Sequence, residues 1–275
     1  MKNYFLLVYS MCATLFISAK EPIVTAEKLL DHKRKFLLFK EFVAPEMVLV
    51  CYQQSTMQYL LKKYPEFQPS DAVSHFYTVN NGKVGILGDW GVGAPGLAIK
   101  IEELISLGVK KFIAVGTAGE LMNQHKIADF VICHRALAED GVAHLYLPKN
   151  QNFIEANQEM LSNWEIFAKN LKLPQFYPAA AWSFSAIFKE TREDVLRVSK
   201  LGCSVVEMEA STLYAIGKEK NVQTISLFVI SDSLTQEDWT PRIKDQTVRD
   251  NLHQLAEWAL EFCLSEKISP ALVIQ

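Results

Sequence analysis

No two of the five cysteines, at positions 12, 51, 133, 203 and 263, stand close enough for the C-x-x-C spacing of a zinc or redox motif. No metal centre is expected from them, and most read as small buried apolar residues. The chain also lacks a surplus of charge. Its 28 Lys and Arg against 31 Asp and Glu leave a net −3, so there is no basic field for a nucleic acid polymer and no acidic tail. Internal repeats and low-complexity segments are missing as well. Long apolar runs are scarce, and the N-terminus carries the conspicuous one: Lys2 followed by "NYFLLVYSMCATLFISA". That run has signal-peptide length, with Ile17 and Ala19 suiting the −3 and −1 positions of cleavage before Lys20. It is short for a membrane-spanning helix. "YSMC" makes a poor lipobox, so a lipid anchor at Cys12 is not expected. The expectation is a signal peptide over residues 1–19 and an exported protein, periplasmic or secreted, with no stable membrane insertion after processing. The plainer alternative is a buried first helix or strand in a cytoplasmic protein.

What remains is ordinary globular chain. Of 275 residues, 49% are apolar and 21% charged, enough for one large domain or two small ones. Residues 20–44 are polar and mixed and read as an N-terminal extension, with a helix from Thr25 to Phe39. Residues 45–275 read as a single domain. "MVLVCY" (47–52) is a continuous apolar run, hence a buried strand. "HFYTV", "NNG" and "KVGILG" make a hairpin, because Asn-Gly supplies the positive φ of a tight primed turn. Leu97, Ile101, Leu104 and Ile105 mark one face of a helix that Gly108 ends. "KKFIAVG" and "DFVICH" are strands, and 153–172 reads as helix. "TRED" (191–194) resembles a capping box. "SVVEM" is a strand leading into the helix "EASTLYAIGKEK", "TISLFVIS" is a last buried strand, and Val248, Leu252, Leu255, Ala259 and Phe262 stripe a closing helix. Strands alternating with helices predict a three-layer α/β/α sandwich. Ligands in such folds sit at the carboxyl ends of strands. Those ends carry Gly91–Gly96, Gly116–Gly119, Glu207–Glu209 and Ser231–Asp232.

Gly91, Gly93 and Gly96 match G-x-G-x-x-G, the dinucleotide fingerprint. A dinucleotide site also needs an acidic residue at the end of the second strand to hold the ribose. Here that strand ends in "VGTAGE", and Glu120 comes too late. Pro95 interrupts the loop. Two successive glycine turns instead permit backbone N–H groups to approach one small anion or sugar from two sides. Two tight turns and nothing more is the other reading.

Three segments resemble the nucleoside phosphorylase and nucleosidase superfamily, the type that includes uridine phosphorylase and the bacterial purine nucleoside phosphorylases. They are "GVGAPGLAIKIEELISLGVKKFIAVGTAG" (91–119), "VVEMEASTLYAIGKEKNV" (205–222) and "VISDSL" (229–234). The resemblance runs from about Pro45 to Phe262. It implies a central sheet that is mixed and partly barrelled. It also implies cleavage of the N-glycosidic bond of a nucleoside without an organic cofactor, inorganic phosphate being a cosubstrate in the phosphorylases. A homo-oligomer, whether dimer, trimer or hexamer, is implied too.

Breaking a ribosyl–base bond develops positive charge on the sugar and negative charge on the base. The resemblance assigns residues to each need. Glu209 accepts the 2′ and 3′ sugar hydroxyls, Met208 packs on the ribose and Glu207 orients. Thr117 is a further sugar contact, and His144 in "DGVAHLY" is a candidate contact to sugar or base, an ordinary surface residue being the plainer reading. Gly93, Gly116 and Thr117 form the phosphate or water pocket. Asp232 is the general acid toward purine N7, since a carboxyl at a buried strand end holds its proton to higher pH. Ala118, Gly119, Phe188, Lys189, Glu190 and Ser231 join it around the base. Arg192 stands near them, and Trp239 and Arg242 are candidates for a lid. For Glu207 and Glu209 the plainer role is complementing a helix dipole; for Asp232 it is capping a turn.

The chain departs from the family pattern in three places. Ala114 stands where an Arg usually clamps phosphate ahead of the G-T/S-x-G turn. "CYQQST" (51–56), with neutral Gln53, Gln54 and Ser55, replaces a loop with the pattern G-D-P-x-R. Ile187 takes the place of a base-stacking aromatic, and Ser185 that of an Asp. Each lost charge-assisted contact removes roughly 1.5–3 kcal/mol of anion binding. Hydrolysis and phosphorolysis both stay open, with Glu46 and Glu139 as candidate bases toward water. The alternative from another class is a catalytically silent nucleoside-binding or storage protein of the same fold.

Overall fold

The computed structural model describes residues 22–265, apart from 37, 40, 80, 81, 149 and 236–238. The expected signal peptide lies outside the described residues. So do Asn80 and Asn81 of the hairpin turn, whose Gly82 has φ +85°.

The elements in chain order are α1 (Ala26–Lys35), β1 (Met47–Cys51), α2 (Gln54–Lys63), β2 (Gln68–Pro69), β3 (Phe76–Val79), β4 (Val84–Leu87), α3 (Ala94–Ser106), β5 (Lys111–Glu120) and β6 (Phe130–Glu139). They continue with β7 (Phe153–Glu155), α4 (Gln158–Asn170), β8 (Phe176–Phe184), α5 (Arg192–Lys200), β9 (Val205–Glu207), α6 (Ala210–Lys220), β10 (Gln223–Ser233) and α7 (Gln246–Ser265). All described strands form one mixed sheet. β10, β6, β8, β9 and β5 follow one another, and β10 pairs back onto β5, so this half closes as a barrel. β1, β4, β3 and β2 extend the sheet from β5. β1, β4, β5 and β10 run parallel. Every residue of β1 and β4 is buried, as strands covered on both faces must be. α2 and α7 pack together against β1 and β5, and α3 packs on α6. The fold is therefore the mixed, partly barrelled α/β sheet that the resemblance implies.

Several boundaries differ from the expectation. The first helix stops at Lys35; Thr25 caps it by accepting from the Lys28 N–H at 3.2 Å. Its Leu30 is buried, and Lys33 donates to Glu103 of α3 at 2.7 Å, which docks it on the domain. Residues 153–172 are a short strand, β7, paired with β6, and then a helix capped by Asn157. Pairing with a neighbouring strand overrides local helix propensity there. β8 has no counterpart in the expected elements, since Pro178 breaks up its apolar pattern.

The largest correction concerns "VGTAGE". It is not a tight turn: β5 runs straight through Gly116–Gly119, paired with β10 along its length and with β9 at Gly119 and Glu120. The glycines serve close approach. A Cβ on Gly116 would lie 2.7 Å from the Tyr52 ring, and one on Gly119 2.7 Å from Leu234 and 3.3 Å from Asp232 Oδ2. Strand geometry with no side chain lets two loops close over β5.

Candidate active site

The carboxyl ends of β1, β4, β5, β9 and β10 open into one cavity of about 930 Å³. Its floor comes from Gln53 beyond β1, Thr117 to Gly119 on β5, and Val206 to Glu209 between β9 and α6. Ser231 and Asp232 enter from β10, and Ile187, Phe188, Glu190 and Arg192 from the segment before and at the start of α5. Trp239 and Ile243 stand at its rim.

The acid–methionine–acid triplet is shaped by hydrogen bonds. Glu207 ends β9, and its Oε2 accepts from the N–H groups of Glu209 and Ala210, at 2.8 and 2.7 Å. Its Oε1 accepts from Ser183 of β8. This ties the start of α6 to the barrel and turns Glu209 inward. Glu209 Oε1 accepts the Gly93 N–H at the start of α3, 2.8 Å away. Gly93 has φ +86°, a conformation glycine adopts without strain. Burial and the neighbouring Glu207 push the Glu209 carboxyl up to about 8. Burial pushes Glu207 up to about 7. Both hold protons at pH values where a surface glutamate is ionised.

Asp232 accepts at both oxygens, from Ser231 Oγ at 2.6 Å and from Trp239 Nε1 at 2.7 Å. The indole thus lies on the carboxylate within the cavity. Glu190 shares the cavity, and burial, then the charge of Asp232, pushes it up to about 7. Gln53 Nε2 donates to Thr117 Oγ1 at 2.9 Å, linking the loop after β1 to β5.

Of the expected site residues, the cavity collects Thr117, Ala118, Gly119, Phe188, Glu190, Glu207, Met208, Glu209, Ser231 and Asp232. Gln53, Gln54, Ser55, Ile187, Arg192 and Trp239 line it as well. Gly93 stands just behind, bonded to Glu209, and Gly116 lies beneath Tyr52. His144 and Lys189 are exposed on two short 3₁₀ turns and do not line the cavity. Arg242 pairs with Asp245 at 2.6 Å. Ser185 donates to the Asp140 carbonyl. Ala114 is buried inside β5 and does not line this cavity. Glu139, a candidate base, is instead held by Arg197 at 2.7 Å and Trp182 at 2.8 Å. Glu46 does not line the cavity either.

Asp140 was not among the expected site residues. It is buried at the end of β6, and its carboxylate accepts from the backbone of Val142 and Ala143 and from the hydroxyls of Ser211 and Thr212, all within 2.8 Å. It anchors α6 to the barrel, beside the triplet. Its one local sign is the Asp-Gly pair of "AEDGV".

The chain matches the phosphorylase superfamily over residues 45–263, and it belongs to that family. It is similar to the DeoD-type purine nucleoside phosphorylase of Streptococcus suis (strain 05ZYH33), with 31% identity over 176 residues, 63% of this chain and 74% of that one. The purine nucleoside phosphorylase of Toxoplasma gondii, solved with immucillin-H, superposes at a TM-score of 0.69 with 19% identity, covering 80% of this chain and 90% of that chain. The 5′-methylthioadenosine/S-adenosyl homocysteine nucleosidase of Campylobacter jejuni reaches 0.68 with 14% identity, covering 80% and 98%. These two likenesses are of fold.

Proposed function

We propose that the chain cleaves the N-glycosidic bond of a purine-type nucleoside. The observation that carries this reading is the convergence of Glu209 and Asp232 on one cavity. A nucleoside has two ends to be served, and the two carboxyls stand on different elements of that cavity. Glu209, fixed by Gly93, presents its remaining acceptor sites to the sugar hydroxyls, with Met208 beneath the ring. Asp232 delivers the proton that the leaving base requires, and Glu190, which keeps its proton to about pH 7, resupplies it. Ala118 and Gly119 form the wall along the base, and Phe188 the cover. The chemistry uses no organic cofactor.

Two further readings go with it. A homo-oligomer is proposed because Phe188 (97% exposed) and Val92 (79% exposed) stand uncovered at the cavity mouth. Light scattering on the purified protein checks it, a monomer being the contrary result. Export is proposed from the Lys2-led apolar run; fractionation of cells producing the full chain checks that.

The deciding experiment is incubation of the protein with a panel of purine and pyrimidine nucleosides, with base release followed by chromatography. Release from purine nucleosides is expected. A thermal shift with nucleoside but no release from any of them would make the chain a silent binding protein instead.

A further inference from the structure

β5 gives the cavity a direction. Thr117, which Gln53 bonds, comes first along it. Gly119 follows, opposite Asp232 of β10 and Val206 of β9. Glu120 is next, and its carbonyl accepts the Leu234 N–H at 2.9 Å. Leu234 therefore stands one step past Asp232, on the side away from Thr117. Two residues apart on an extended chain, Asp232 and Leu234 face the same way, and both line the cavity. The missing side chain of Gly119 shows how close they are. A Cβ there would lie 2.7 Å from Leu234 Cδ1, 3.1 Å from Val206 Cγ1 and 3.3 Å from Asp232 Oδ2. Apolar surface thus begins beside the carboxyl itself.

That surface continues onto α5. Val195 and Leu234 are half-buried; they pack against a small separate core that holds Val206, Val198 and Trp182. Val195, Val206 and Leu234 line the cavity too, so this core has an apolar face that looks into the site. Arg192 lies one turn before Val195 on the same side of α5, and it also lines the cavity. Trp239, whose indole lies on Asp232, and Ile243 are exposed at the rim. Ligand pockets span about 300–1,000 Å³. A cavity of about 930 Å³ is toward the upper end of that range and has room for more than a bare nucleoside.

The chemistry of the base says which group meets this face. N7 and the exocyclic group on C6 share one edge of a purine. C8, on the other side of N7, is bonded to the nitrogen that carries the sugar. With Asp232 at N7 and Glu209 at the sugar, the group on C6 is the one directed past Asp232, away from the sugar. We propose that Leu234, Val206 and Val195 form a subsite for a bulky apolar group on the C6 nitrogen, so that the chain prefers N6-alkylated or N6-benzylated adenine nucleosides to adenosine itself. This rests on the function proposed above. Seating such a group there takes its own apolar surface and that of the half-buried wall out of water together.

The test compares adenosine with N6-benzyladenosine on the full chain, in buffer containing inorganic phosphate so that phosphorolysis and hydrolysis are both possible. Base release is followed by chromatography. N6-benzyladenosine is expected to have a kcat/KM about tenfold or more above that of adenosine. An equal or lower value, with adenosine still cleaved, overturns the inference and leaves the proposed function standing. No release from any purine nucleoside removes both. Val195→Phe fills the subsite from the α5 side without touching Glu209 or Asp232. It is expected to lower kcat/KM for N6-benzyladenosine by about tenfold or more. Adenosine, which has nothing to place there, should stay within about twofold, and its rate also reports that the variant is folded. Val195→Thr keeps the shape of the wall and adds a hydroxyl, so it should reduce the preference in a protein with little packing change. Retention of the full preference in both variants would overturn the subsite, and so would a proportional loss of both substrates in both.

Discussion

Glu209 shows how much one residue's setting decides. In the sequence it is one acid of a helix start; in the fold it is nearly buried, held by one backbone N–H and raised toward pH 8 by burial and Glu207. In the proposed reading, truncation removes a hydrogen-bonded carboxyl from the sugar, a loss above about 1.4 kcal/mol, or tenfold. Glu209→Ala is accordingly expected to cut kcat/KM well over tenfold, measured by initial rates of base release; an equally active variant would exclude the sugar-holding role. Asp232 supplies the second residue-level prediction. Its Oδ2 accepts from the Trp239 indole at 2.7 Å, which holds the carboxyl in place within the cavity. Trp239→Phe removes that donation, so kcat/KM for base release is expected to fall by about twofold to tenfold, measured by initial rates; an unchanged value would show that the indole does not position Asp232.

At the level of elements, β5 is where local pattern and tertiary demand part. "VGTAGE" has the glycines of a turn, yet it spans the barrel as strand because Tyr52 and Leu234 must come down on it. Gly116→Ala puts a methyl 2.7 Å from the Tyr52 ring and 3.2 Å from its Cβ, close to the rigid stem of that side chain. Overpacking of this kind costs about 1–3 kcal/mol. A lower Tm with a displaced loop after β1, and hence weaker activity, is the expected result, read by calorimetry together with base release. α6 shows the converse, with pattern and demand in agreement. Its N-terminal turn is fastened by Glu207 and by Asp140, which holds Ser211 and Thr212, so the triplet cannot slide along the barrel.

For the whole molecule, three carboxyls in one cavity couple stability to pH. Glu207 and Glu190 are raised to about 7 and Glu209 to about 8, chiefly by burial. A carboxyl whose folded value exceeds its unfolded one binds a proton in the folded state that the unfolded chain has released. Its stabilising contribution is therefore complete at acid pH and is lost as pH rises through the folded value. A tenfold difference in proton affinity between the folded and unfolded chain is worth about 1.4 kcal/mol, so Tm is expected to fall by about 5 °C or more between roughly pH 5 and pH 9. Scanning calorimetry across that range checks it, and Glu209→Gln should flatten the upper part of the fall. A Tm that instead rises steadily toward pH 9 would contradict the assignment of these groups.

From the order of its residues alone this chain declares its alternation of strands and helices, the strand ends that carry chemistry, and the triplet around Met208. These are readable because burial on both faces writes continuous apolar runs, and because the resemblance is concentrated in short contiguous motifs. What only the three-dimensional arrangement decided was which of those ends meet. His144 is by sequence a candidate contact beside Thr117, yet it stands outside the cavity that Thr117 lines. Glu139 is by sequence a candidate base, yet Arg197 holds it in an ion pair. The closure of β10 onto β5, the indole on Asp232 and the bond from Gln53 to Thr117 all depend on contacts between residues more than five positions apart, most of them far more. Linear spacing carries no record of such contacts, because they are set by how the barrel closes and not by the periodicity of any one element.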